Sequence, residues 1–188
     1  MGFANQLNAE ENRLFYTYIG PTIGVGYNMA SYKYWDKTSD TLESSSFSGT
    51  YADFGCYGAV FVDRFIADIR IVYSMNFNDS EHKVFHPSFI VNGKYSWIIN
   101  DYLLWTVGFG LYLDTPPATS KYYMSAGFQI PISLYINTTQ DSKMFFEIAP
   151  KLGYYRGSDD IPSSSLFDNN YKISVGINIG YLFKIGRI

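Results

Sequence analysis

Two constellations in this sequence contain residue types that could do chemistry. The first is a set of single charges spread through alternating apolar segments: Asp53, Asp68, Arg70, Lys94, Glu147, Lys151 and Lys172. These residues sit among Gly, Ser, Asn and aromatic neighbours, which places them on a crowded face with little water. Charges of both signs there must pair, because an unpaired buried charge is expensive. Such a set either locks a structure shut or lines a narrow path for small solutes. The second constellation is His86-Pro87-Ser88. Residues two apart on a strand share a face, and a His–Ser pair with a carboxylate is acyl-transfer chemistry. No third member is indicated, so chance co-occurrence is the simpler reading and no catalytic residue is assigned.

The remaining polar candidates are weaker. Asp36, Asp40, Glu43, Asp159, Asp160 and Asp168 fall in the Ser-rich runs WDKTSDTLESSS and GSDDIPSSSLFDNN. They could collect divalent cations or meet an extracellular or host ligand, but no spacing resembles a calcium loop, so solvated loops and no metal site are expected. His82 reads as a solvated loop residue. Cys56, the single cysteine, can form no internal disulfide and belongs to no metal motif. It reads as a small apolar residue facing lipid. No cofactor is expected.

The elements that must position these charges are strands. In YKISVGINIGYLFK, residues 171–184, every odd position is large and apolar, and the even positions are mostly small or polar. A strand turns successive side chains to opposite faces, so this segment has one apolar and one crowded or wet face. The pattern recurs over about 19–29 (continued by Tyr32 to Trp35), 47–62, 65–77, 84–99, 102–113, 122–136 and 144–156, which makes eight strands. In this phase Asp53, Asp68, Arg70, Lys94, Glu147, Lys151 and Lys172 share the small face with Ser88, Asn92 and Tyr57. Pairing of the third and fourth strands should bring Asp68 near Lys94 and Arg70 near Asn92. Glu147 could meet Arg70 or Lys151 across the interior.

Composition decides what surrounds the strands. The chain is only 16% charged and 19% aromatic, with 18 Tyr and 15 Phe; soluble domains carry about 25% charged residues. Tyr gathers where one end of a ring is apolar and the other wet, as at a membrane interface. No apolar run is long enough for a transmembrane helix, which leaves a closed β-barrel as the structure able to satisfy a backbone in lipid. The net charge of −3 and the lack of a basic cluster exclude a nucleic-acid partner. A soluble lipocalin-type barrel has the same strand count. Here, however, the small face is too polar for a dry core and the bulky face too large to fit inside eight strands.

The expectation is an all-β fold: one domain over 1–188, an eight-stranded antiparallel up-and-down transmembrane β-barrel. A polar segment, 1–13, precedes it, and external loops fall at about 35–46, 78–83, 114–121 and 157–170, opposite short turns. Aromatic girdles are expected at both rims. Tyr16, Tyr18, Phe65, Trp97, Trp105, Phe145, Phe146 and Phe183 would lie at the turn end. Tyr32, Trp35, Tyr73, Phe77, Phe89, Tyr122, Tyr154 and Tyr171 would lie at the loop end. Pro21, Pro87, Pro131 and Pro150 fall inside strands, and bulges are expected there because proline lacks a ladder donor. The segment MGFANQLNAEENR has neither a charged nor an apolar leader region. The expectation is an exported protein whose signal peptide is absent from this chain.

Near the end of the chain, NIGYLFKI is similar to the C-terminal β-signal by which bacterial outer-membrane proteins are recognised by their insertion machinery. The matching positions are Asn178, Gly180, Phe183 and Ile185, although the chain continues to Ile188 instead of ending on Phe. The whole pattern resembles the small eight-stranded outer-membrane proteins of the OmpX, OmpW, opacity-protein and OmpA transmembrane-domain families, by architecture. Some outer-membrane barrels that modify lipid A use His–Ser sets, but the residues around His86 and Ser88 do not match them. The resemblance implies a monomer in the bacterial outer membrane, bounded by lipid and served by the insertion machinery. It would be a non-enzymatic surface protein with a plugged polar lumen, acting through its loops in adhesion or envelope integrity. The alternatives are a narrow channel for small solutes and a lipid-modifying hydrolase.

Overall fold

A computed structural model describes residues 15–36, 41–77, 86–115, 124–156 and 171–187. They form eight strands: β1 Phe15–Asp36, β2 Thr41–Val62, β3 Phe65–Asn76, β4 His86–Ile98, β5 Leu103–Asp114, β6 in two runs (Met124–Gln129 and Ile132–Thr139), β7 Ser142–Arg156 and β8 Tyr171–Arg187. Each strand pairs antiparallel with the next. β1 pairs with β8 from Tyr16↔Arg187 to Ser31↔Tyr171, which closes the sheet into a barrel.

The period-two pattern sets the faces. Ile23, Val25, Ile69, Leu111, Ile177 and Phe183 are exposed on the outside, whereas Arg70, Lys94 and Glu147 are at most 2% exposed inside. This inside-out distribution gives a barrel with an apolar wall and a polar interior. Glycines on the inner face of β1 and β8 make room for rings. Tyr51 lies over Gly26 and Gly176, and a Cβ on Gly176 would stand 2.7 Å from the Tyr51 hydroxyl.

At one end, tight turns join β2 to β3 and β6 to β7. Asp63 in the first takes φ 52°, a left-handed conformation that a short polar side chain tolerates. Asn100 caps the β4–β5 connection by accepting the backbone N–H groups of Tyr102 and Leu103, each at 2.9 Å. The segments 1–13, 78–83 and 157–170 lie outside the described residues, as do His82, Asp40, Asp159, Asp160, Asp168 and Tyr122.

Three expectations are corrected. The first concerns loop one. The β1–β2 ladder runs unbroken from Phe15↔Val62 to Asp36↔Thr41, so most of the expected loop 35–46 is strand. Its Ser-rich composition suggested a loop, yet a two-stranded ladder is held by backbone bonds and tolerates polar side chains. Similarly, Asp114 ends β5 and does not open a loop.

The second concerns the prolines, none of which marks a bulge. Register is constant past Pro21 and Pro87 in their ladders. It is also constant past Pro131 and Pro150, so the two runs of β6 form one strand in register. Gly108 N–H donates to Pro131 O at 2.9 Å, and Ile130 N–H to Pro150 O at 3.0 Å. Each proline therefore forfeits only its own donor, on one side of the strand. The register shifts lie instead between Thr17 and Tyr18 and between Asn137 and Thr139.

The third concerns the girdles. Tyr18 and Phe145 are buried inside, and Tyr16 packs against the same inner cluster. Their strand parity matches that of the inner residues, and parity outranks residue type. Phe65, Trp97, Trp105, Phe146 and Phe183 face outward at the turn end.

Candidate functional site

The interior is layered from the turn end upward. The lowest layer joins Tyr18, Tyr57, Ala59, Phe61, Ile66, Tyr135, Phe145 and Leu182 in one buried cluster. Phe145 rests over the bare Cα of Gly180 and tilts against Tyr57 with ring centroids 4.6 Å apart. Lys143 Nζ sits below, 5.3 Å from the Tyr18 ring centroid and 5.4 Å from that of Phe61.

Above the rings lie four buried charges. Lys94 Nζ is 2.7 Å from Asp68 Oδ2 and 2.7 Å from Glu147 Oε2. Arg70 pairs with Glu147 through Nη2 and approaches Asp68 at 3.7 Å through Nε. Its guanidinium also stands 4.5 Å from the Tyr57 ring centroid, within cation–π range. Two carboxylates against two cations leave this layer neutral, which offsets the desolvation that burial imposes.

Neutral side chains add hydrogen bonds to the same carboxylates. The Tyr57 hydroxyl donates to Asp68 at 3.0 Å, Asn92 Nδ2 donates to Asp68 at 2.6 Å, and Ser133 donates to Glu147 at 2.8 Å. Gln129 Nε2 donates to Asn92 at 2.6 Å. Lys94 also donates to the hydroxyls of Ser133 and Tyr135, both at 3.2 Å. The register sets Asp68 opposite Asn92 and Arg70 opposite Ile90, so Asn92 bonds to Asp68. A packed apolar group, Val72, Ile90 and Tyr112, separates this layer from the next.

The upper layer, toward the loop end, contains the other charges. Lys172 Nζ is 2.6 Å from Asp114 Oδ2, Ser88 donates to Asp114 Oδ1 at 2.7 Å, and Ser74 donates to Asp53. Lys151 Nζ lies 5.6 Å from the Tyr112 ring centroid, away from Glu147, which pairs with Arg70 and Lys94. The seven charges considered from sequence thus divide between two layers. Asp68, Arg70, Lys94 and Glu147 come together; Asp53, Lys151 and Lys172 do not join them. Asp114 was missed because it closes a strand just before a proline-containing stretch. Tyr135, Ser133 and Gln129 were missed because inner-face hydroxyls and amides carry no charge to draw notice.

Ser88 is 1% exposed and faces the interior, while the His86 side chain lies outside the described ones. Ser88 therefore stands behind the barrel wall from lipid. Cys56 is exposed on the outer face. Of the β-signal positions, Asn178 and Gly180 face inward, and Phe183 and Ile185 face outward.

No protein-family model matches this sequence, and no curated protein matches it. Among solved structures, the fold is similar to Neisserial surface protein A, NspA, at 9% identity over 88% of this chain and 97% of that chain, with a TM-score of 0.55. Ail, the attachment invasion locus protein of Yersinia pestis, aligns at 12% identity over 89% of this chain and 98% of that one, with a TM-score of 0.34. The likeness to NspA is one of fold. The chain is a closed eight-stranded antiparallel β-barrel, a fold it shares with that protein.

Proposed function

We propose that this chain is a bacterial outer-membrane surface protein. In this reading its lumen is plugged, it is a non-enzymatic monomer, and it acts through its external loops in adhesion or envelope integrity. One observation carries the plugged lumen. Tyr57, Tyr135, Phe145 and Leu182 are 0% exposed in the turn-end layer, directly beneath the paired charges of Arg70, Lys94, Asp68 and Glu147. Eight strands leave an interior just large enough to be filled by side chains, and a solute would have to displace both layers. The apolar outer wall supports residence in lipid. Asn178, Gly180, Phe183 and Ile185 would present the β-signal to the insertion machinery.

The test is single-channel recording from detergent-refolded protein in a planar bilayer, with heat-modifiable gel migration as the check on folding. Silence from a folded, inserted barrel is the expected result. Discrete, reproducible openings would overturn the plugged reading in favour of a narrow channel past Arg70 and Lys94.

A further inference from the structure

Four aromatic rings stand in a row on the outer face at the turn end. Phe65 meets Tyr95 edge to face with ring centroids 5.4 Å apart, Tyr95 meets Trp97 at 4.9 Å, and Trp97 meets Trp105 at 5.4 Å. The ladders account for the row. Phe65 lies opposite Tyr95, Tyr95 shares a face with Trp97 two residues on, and Trp97 lies opposite Trp105. Phe65, Trp97 and Trp105 are exposed, and Tyr95 is half-buried among them.

Arg64, in the β2–β3 turn, stands beside this row. Its carbonyl accepts from the Ser96 N–H at 2.8 Å and from Ser96 Oγ at 3.0 Å, so the turn is tied to β4. Its side chain is exposed, and Nη1 donates to the Tyr95 hydroxyl at 3.3 Å. A guanidinium has five N–H donors, and among the described residues this is the hydrogen bond its side chain makes. Among those residues no carboxylate pairs with it, its neighbour Asp63 included. Tyr95 accepts the Arg64 bond, which leaves its own O–H to donate. The corner therefore offers a cation and a hydroxyl donor side by side, at the edge of an apolar plate. Lys184, at the same end, already has Asp141 at 3.4 Å, so Arg64 is the better anchor for an anion.

Chemistry narrows the occupant. Arginine presents its N–H groups as a fork that matches phosphate oxygens. Tyr and Trp rings favour the level at which acyl chains give way to headgroups. An exposed cation holds a free anion only weakly in water, so inorganic phosphate gains little here. A glycerophospholipid supplies both halves. Its phosphodiester would meet Arg64 and Tyr95, and its glycerol and first methylenes would lie on Trp97 and Trp105. Above the row, the exposed Ile69, Val91 and Phe109 continue the apolar face that the acyl chains need.

We propose that Arg64 and Tyr95, with the rings of Phe65, Trp97 and Trp105, form a site for one glycerophospholipid of the leaflet at the turn end. The proposal rests on the reading of the barrel as resident in lipid and adds a specific headgroup contact to it.

The test uses the full chain refolded in octyl glucoside, a detergent without phosphate. Heteronuclear NMR follows the Arg64 Nε–H and the indole N–H groups of Trp97 and Trp105. The probe is dihexanoyl-phosphatidylglycerol, and the wild type should show saturable shifts of all three signals. Arg64→Gln, in an exposed turn, should weaken binding about tenfold. Tyr95→Phe keeps the ring and loses one neutral donor, so it should weaken binding about threefold. Dihexanoylglycerol, with the same chains and no phosphate, should bind the wild type about as weakly as the phospholipid binds Arg64→Gln. Heat-modifiable migration checks that each variant is folded.

Equal affinity of the wild type and Arg64→Gln for the phospholipid would overturn the proposal. So would equal binding of dihexanoylglycerol and the phospholipid by the wild type. Saturation of the Arg64 signal by inorganic phosphate alone, at the same concentrations, would overturn the assignment to lipid. Bilayer recording tests residence in lipid separately. A barrel that inserts, yet binds phospholipid equally with and without Arg64, keeps that reading and loses this site.

Discussion

Replacing Lys94 with methionine probes the central charges most directly. The substitution keeps an unbranched chain of similar bulk but removes the cation that bridges Asp68 and Glu147, each at 2.7 Å. Taking one partner from a buried ion pair costs about 3–5 kcal/mol. Asp68 would retain the Tyr57 hydroxyl and the Asn92 amide, and Glu147 would retain Arg70 and Ser133. Those remaining partners place the expected loss at the low end, about 3 kcal/mol. Glu147→Gln alone should cost a similar amount, because it leaves Arg70 and Lys94 facing one carboxylate. The double variant restores neutrality, with two cations and two anions becoming one of each. Its expected cost is no more than that of either single change, a coupling of about 3 kcal/mol.

The assay is reversible urea unfolding of the protein in lipid vesicles, followed by tryptophan fluorescence and checked by heat-modifiable migration. Strict additivity, with the double variant losing about 6 kcal/mol, would refute the assignment of Lys94 and Glu147 to one neutral network. So would single losses below about 1 kcal/mol, the value of a solvated pair.

Two further expectations test the wall and its inner packing. Ile177 is half exposed on the outer face of β8, and Ile177→Arg should cost about 2–4 kcal/mol in the same vesicle assay; a neutral effect would mean that this face meets water. Gly180→Val should reduce the yield of folded protein on refolding into detergent, because a Cβ there collides with the Phe145 ring. That assay contains no insertion machinery, so normal refolding would confine the role of Gly180 to the β-signal.

The strand content, the strand count and the phase of each strand were legible in the sequence because side-chain alternation is local. Odd against even positions of β8 already separate Ile177 from Asn178, and the same parity puts Arg70 and Lys94 on the inner face. Parity also contained the answer for Tyr18 and Phe145, whose aromatic type at a strand end suggested the rim. Polar composition misled at 42–46, where the residues continue the β1–β2 ladder.

The partners across the lumen could be decided only by the closed barrel. Arg70 and Glu147 lie on β3 and β7, which share no ladder, and Lys94 meets Tyr135 from β4 to β6 in the same way. Whether such pairs meet depends on the stagger accumulated around the whole ring of strands, a quantity that no single segment encodes. The same stagger lifts Lys172 and Asp114 into an upper layer and leaves Asp68 and Lys94 below it. The sequence determined which charges face inward, and the closure of the sheet determined which of them pair.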